Sequence, residues 1–504
     1  MKVLSFLFFF FIQTALLAQQ QALGIFDFQS GVGNPKKQGS VQYDAGSQTY
    51  TLKGAGYNIW FNRDEFQYAY KKMKGDFILT ANFEFIGPGS NHHRKTGWMV
   101  RAATDAEAIH ISAVSHGDGL TVLQWRPLRG AYMRDPQDEL FFAKRSVQVI
   151  QLERSGNRFI MRVAHPGEPL QTVGIKEMPE MPDSALAGLF ICSHDADVVE
   201  EARVWNVRID KPVAENYNAY RQGFINSRLE VMDVWDLRRK VIHESTGRFE
   251  APNFMPGGKK LLFNAEGKLY TIPVEGGTPE QFRVGDLDRL NNDHGISFDG
   301  KQLAVSHHRA GLPGGGSTVY VMPLAGGTPK LLTAKTPSYW HGWAPNNKEV
   351  VYVAHRDSGV YNIYKMNVNG GAEIPLTTNT TGHVDGPEYA PDGKYIYYNA
   401  NVTGTMQIWR MKPDGSGKEQ ITYDEYHNWF PHISPDGKWM VMISFPPDID
   451  PADHPFYKRV LLRLMPLTTV GAPRVIAYVY GGQGTINVPS WSPDGKYIAF
   501  VSNY

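Results

Sequence analysis

An all-β chain in two units, an antiparallel β-sandwich followed by a six-bladed β-propeller, is what these 504 residues predict. Three observations carry that expectation. A turn unit, Pro-Asp-Gly in three copies and a variant of it in three more, recurs six times in the C-terminal half. The N-terminal half alternates apolar and polar residues with period two, in short runs separated by glycine-containing turns. Neither half shows sustained helical periodicity.

Taken in order, residues 1–18 read as a signal peptide: Lys2, an apolar run over 3–12, then the small-residue site Ala15-Leu16-Leu17-Ala18. Export to the periplasm or the cell exterior is therefore expected. No later run reaches the ~18 apolar residues of a membrane-spanning helix. The net charge of +1 gives no reason to expect nucleic acid as a partner. The one cysteine, Cys192, lies in the apolar run Leu189-Phe190-Ile191-Cys192 and reads as a buried small hydrophobe.

Residues 22–210 form the sandwich. Phe77-Ile78-Leu79-Thr80-Ala81-Asn82-Phe83 alternates, and so does Val147-Gln148-Val149-Ile150-Gln151-Leu152-Glu153. The latter is joined to Phe159-Ile160-Met161-Arg162-Val163 through Ser155-Gly156-Asn157-Arg158, a hairpin. Further strands are expected at 48–53, 97–101, 121–126, 185–191 and 202–208, the pattern of a β-sandwich. Residues 211–228 read as a linker with one helical turn.

Residues 229–504 carry the repeats. The proline-equivalent positions are 256, 298, 345, 391, 435 and 493, spaced by 42, 47, 46, 44 and 58 residues. A period of about 40–50 residues with four short strands per unit is the signature of a propeller. Trp491-Ser492-Pro493-Asp494-Gly495-Lys496 is the last copy and stops after its second strand. The segments 229–237 and 240–243 are expected to supply the missing pair and close the ring.

All ten propeller histidines fall on the face opposite the Pro-Asp-Gly turns. Strand one is innermost, so His294, His341, Glu388 and His432 are expected to converge on the axis, with Asp293 and Asp385 behind them. Arg356, Asn399 and Asn401 end neighbouring second strands, and Gln483 and Asn487 sit in the last loop before strand one. Trp340 and Trp429 are placed as ring platforms for a ligand, Trp343 and Trp491 as packing between blades. Three imidazoles and a carboxylate meet the ligand count of one divalent ion, Mn, Zn or Ni. They equally suit acid–base chemistry near neutral pH, a metal-free ligand site, or a polar, water-filled channel. In the sandwich, His92, His93 and Arg94, or His116 with Asp118, read either as exposed loop polarity or as a second binding surface.

The Trp-Ser-Pro-Asp-Gly-Lys repeats and Gly-Gly turns resemble the TolB-type propeller with PD40, or WD40-like, repeats. The first unit, through Gly97-Trp98-Met99-Val100-Arg101 and His116-Gly117-Asp118-Gly119, resembles a concanavalin-like jelly roll. The pairing is similar to secreted Bacteroidetes TolB-like proteins, whereas TolB itself carries an α/β N-terminal domain. Propeller peptidases are similar too, but Gly-x-Ser-x-Gly is missing here. The resemblance implies a carbohydrate-binding or protein-binding module with a glycan or protein partner in its His-rich funnel. The alternative it implies is a metal-dependent carbohydrate lyase, similar to oligogalacturonate lyase. In that reading His294, His341 and His432 are metal ligands, Glu388 a ligand or, with Asp385, the catalytic carboxylate, and Arg356 a carboxylate clamp.

Overall fold

In the computed structural model residues 23–504 are described; the leader read over 1–18 lies outside them. The described N-terminal residues build two seven-stranded antiparallel sheets. One runs Phe28–Val32, Phe66–Lys74, Ser184–Cys192, Lys95–Arg101, His110–His116, Thr121–Arg126, Glu139–Phe141 in spatial order. The other runs Gln171–Glu177, Arg158–Ala164, Val149–Ser155, Phe77–Ile86, Asp195–Asp210, Thr49–Gly56, Ser40–Asp44. A shared core of Trp98, Val100, Ile111, Leu79, Leu152 and Val204 lies between them. The Trp98 indole N–H crosses it to donate to the Ile150 carbonyl at 3.2 Å. His110–His116, a strand not expected from the sequence, is buried along its whole length.

From Ser227 onward the chain forms the six blades. Val384–Tyr389, Ile396–Ala400, Gln407–Met411 and Glu419–Gln420 make one complete four-stranded blade, in chain order from the axis outward. The turn between its first two strands works as its chemistry requires. The Asp392 carboxylate accepts from the Lys394 amide at 3.0 Å, and Gly393 sits at φ 70°, a conformation that glycine adopts without a Cβ penalty. The ring closes as expected: Ser227–Asp233 pairs along its whole length with the C-terminal strand Tyr497–Asn503. Closure leaves no open sheet edge between the first and last blades.

Indoles knit neighbouring blades. Trp343 Nε1 donates to the Gly295 carbonyl at 2.9 Å, and Trp491 Nε1 to the His432 carbonyl at 2.9 Å. Trp340 is also fully buried and lies against Gly295, where an added Cβ would stand 2.0 Å from its ring. Gly295→Ala is therefore expected to lower stability by about 2 kcal/mol through overpacking. A urea midpoint equal to wild type would show that the indole yields.

The two units are locked together. Gln48 exchanges two hydrogen bonds with the backbone of Val241, at 2.8 and 2.9 Å. The Tyr478 hydroxyl donates to the Glu168 carbonyl at 2.6 Å, and the Val475 amide to the Gly167 carbonyl at 2.9 Å. Arg208 from the first unit reaches Glu230 of the propeller at 2.6 Å, both buried.

Candidate ligand-binding site

The innermost strand of each of five blades carries a register break, at Glu250/Asn253, Leu290/His294, Trp340/Gly342, Asp385/Glu388 and Trp429/His432. Bulges re-aim side chains, and here the sequence shows how they are built. Pro252, Pro387 and Pro431 remove a ladder donor at three of them. The residues before those prolines, Ala251, Gly386 and Phe430, take φ of 56°, 56° and 51°. At Gly386 a side chain would collide with Asn399 and Phe430.

The bulges gather a carboxylate ringed by imidazoles. His341 Nε2 lies 2.9 Å from Asp385 Oδ1. His383 Nε2 and His454 Nε2 approach Asp385 Oδ2 at 3.4 and 3.9 Å. Rings continue around it: Tyr361 stands 6.2 Å from Tyr339 and 5.5 Å from His383, and His383 5.6 Å from Trp429. His454 then packs on Trp429 at 4.4 Å and on Phe430 at 5.3 Å. Tyr339, Tyr361, His383, Asp385 and His454 are partly open to solvent, while Trp429 and Phe430 are buried behind them.

The electrostatics are divided between two acids. Burial would raise the Asp385 carboxyl, but the charge and hydrogen bond of His341, then His383, hold it well below the usual range. Burial would depress His341, yet Asp385, then Asp293 and Glu388, hold it above its ordinary value. Asp293 is pushed up to about 7, first by burial, against the pull of His341 and with the push of Asp385. The sign for stability follows. Asp293 holds its proton in the folded state at pH values where the unfolded carboxyl has lost it, so stability falls as pH rises between about 4 and 7. Asp293→Asn is expected to remove part of that slope and to raise stability at pH 8 relative to pH 5, on the order of 1–3 kcal/mol. Urea midpoints at the two pH values check this; an unchanged difference would place the slope elsewhere.

The site differs from the expected one in its members. His432 is spent on structure: Nδ1 faces Glu388 Oε2 at 2.7 Å and Nε2 the Ile486 carbonyl at 2.7 Å. Glu388 also accepts from the Ile433 amide at 2.9 Å. His294 is buried, its Nδ1 at 3.0 Å from the Asn292 carbonyl, and burial pushes it down to about 4. His294, His341, His432 and Glu388 thus do not converge as one ligand set. Among the described residues no group of three or more His, Cys, Asp or Glu is arranged to hold a metal ion.

Arg356 is no free clamp, because its guanidinium is committed to Glu373 at 2.6 Å and to the Pro337 and His355 carbonyls. Asn399 is buried and accepts from the Phe430 amide at 3.1 Å; Asn487 accepts from the Gly484 amide at 2.8 Å. Both hold loops. Trp340 and Trp429 are fully buried and offer no platform; the open rings are Tyr339 and Tyr361. Gln483 does line a cavity, together with His454. In the first unit Arg94 is tied to Glu200 at 2.6 Å and Asp118 to Arg145 at 2.7 Å. His383 reaches Asp385 from two residues before it, whereas His454 arrives from the long loop after Phe445, which sequence spacing does not place.

A family model described as TolB beta propeller domain (PD40) matches residues 341–448, which hold His341, Tyr361, His383, Asp385, Trp429 and Phe430 but neither Tyr339 nor His454. Over 280 residues the chain is 43% identical to the uncharacterized protein Atu1656 of Agrobacterium fabrum, covering 55% of this chain and 93% of that one. The structure of putative TolB from Agrobacterium tumefaciens is similar at 42% identity and a TM-score of 0.52, covering 56% of this chain and 99% of that one. The Tol-Pal system protein TolB of Francisella tularensis is 23% identical over 209 residues, 40% of this chain and 47% of its own length.

Proposed function

Because the chain belongs to the family of TolB-like propeller proteins that includes Atu1656, we propose that it uses the family's propeller as an extracytoplasmic ligand-binding module. The ligand is a glycan, held in the pocket around Asp385. One observation carries this reading: a carboxylate flanked by His341, His383 and His454 sits behind the partly open rings of Tyr339 and Tyr361. A charged acceptor and imidazole donors suit sugar hydroxyls, since hydrogen bonds to ionised groups are the strong ones. Flat rings beside them supply apolar contact for the C–H faces of a sugar. The leader read over 1–18 supports placement in the periplasm or outside the cell. The first unit, read as a concanavalin-like jelly roll, spans residues 22–210 in this proposal and the propeller 229–504, the two joined by the linker 211–228.

An enzymatic reading rests on a separate observation, the opposite displacement of Asp293 and Asp385, since acids driven apart in this way are the pattern of acid–base pairs. Glycan-array binding of the purified protein, followed by analysis of the bound glycan for cleavage, tests both. Binding without product supports the module; product formation supports the enzyme; no binding to any glycan overturns both.

A further inference from the structure

Between the two units lies a cavity of about 1400 Å³ that reaches His454 and Gln483 at the propeller mouth. Its far wall is the first unit's sheet, through Ile78, Thr80 and Gln151, and its floor is the segment leading into the propeller. The volume exceeds the ~300–1,000 Å³ of a site for one small molecule, so it has room for several linked units. The walls are fixed to each other by Tyr478 on Glu168 and by the ion pair of Arg459 with Glu153.

The charge of this cleft is one-sided. Seven carboxylates line it against three lysine and arginine side chains, and one of the seven, Asp210, is paired with the buried Arg228 at 2.6 Å. Arg162 and Arg459 are both spent on Glu153. Asp76, Glu215, Asp448, Asp450 and Asp453 make no ion pair among the described residues. Lys458 points its amine at the Glu215 carbonyl, 3.4 Å away. Rings stand among these acids: Tyr220 is 75% exposed and packs edge-on against Phe456 at 5.8 Å. Carboxylates beside exposed aromatic faces attract ammonium groups, both by Coulomb attraction and by cation–π contact.

We infer that this cleft extends the Asp385 pocket into one elongated site for a cationic amino-sugar oligomer, a glycan with free amines. The inference rests on the glycan reading and narrows it, because it disfavours uronate-type polymers.

Calorimetry with glucosamine oligomers, N-acetylglucosamine oligomers and galacturonate oligomers tests it on the full chain, beside Asp448→Asn/Asp450→Asn and Tyr220→Ser. Glucosamine oligomers are expected to bind best, and to weaken about tenfold in the double variant and again at high salt, as exposed charges are screened. The N-acetylated oligomer should be indifferent to the double variant. Galacturonate or N-acetylated oligomers binding as well as the amine form would overturn the cationic assignment while leaving the glycan pocket standing. If none of the three binds while other glycans do, the class is wrong; if no glycan binds at all, both readings fall. Tighter capture of an oligolysine peptide than of any glucosamine oligomer would replace the glycan by a basic peptide.

Discussion

Replacement of Glu230 by alanine is expected to lower the stability of the folded chain by about 3–5 kcal/mol, the range for breaking a buried ion pair from one side. Glu230 is fully buried. Its carboxylate takes Arg239 at 2.7 Å, Arg208 at 2.6 Å and the Ser502 hydroxyl at 2.5 Å. Ser502 belongs to the strand that closes the propeller ring, Arg208 to the first unit. One side chain therefore ties ring closure to the union of the two units, and its loss strands two buried guanidinium groups. Burial raises the Glu230 carboxyl, but Arg208 and Arg239 outweigh it and hold it far below its ordinary value. A depressed carboxyl contributes stability that is present above the unfolded value near 4.5 and is lost as pH falls toward the folded one. The variant should therefore differ most from wild type at neutral pH and progressively less below about pH 4. Urea unfolding across that range measures it. Glu230→Gln, which keeps the shape, should recover part of the loss; a loss that stayed constant with pH would mean that packing and not charge is responsible.

The sequence was most informative where local chemistry repeats. Six turn units disclosed six blades, and Gly393, Gly437 and Gly495 at φ between 67° and 71° show why those turns need glycine. The ring closure was legible because a strand pair missing at one end was present at the other. The packing role of Trp343 and Trp491 followed from their core position in strand one. The site was less legible, because equal sequence offsets do not give equal geometry once each inner strand is bulged. His432 and Glu388 occupy equivalent positions in adjacent blades, and the bulges turn them toward each other instead of toward the axis. His341, one residue earlier in its own blade, is turned to Asp385. His454 lies 71 residues further along the chain than His383, and no spacing rule joins them. The interdomain cleft was invisible for the same reason, since its walls come from sheet faces that meet only after both units have folded.

Asp385→Asn should have the largest effect on ligand binding, and its signature lies in His341. Burial alone drives that imidazole down, and the Asp385 charge reverses the direction. Removing the charge while keeping the shape should therefore move His341 from above about 6.5 to below it. The imidazole C–H signals followed by NMR against pH would report this directly. Affinity for the glycan should fall about 30-fold, or ~2 kcal/mol, the worth of a hydrogen bond to a charged acceptor. Stability should respond in a pH-dependent way. The raised His341 contributes stability that is complete below about 6.5 and is lost as pH rises through its folded value. The lowered Asp385 contributes stability present above about 3.8 and lost below it. The pair therefore stabilises most between about pH 4 and 6.5, and the variant should be weakest relative to wild type in that window, with the difference shrinking as pH rises through the folded value of His341. If His341 kept its raised value in the variant, another carboxylate, Asp293 or Glu388, would hold the charge that organises the pocket. If affinity stayed unchanged while His341 fell, Asp385 would be a structural partner of the histidines, and the ligand would rest on the rings and the cleft alone.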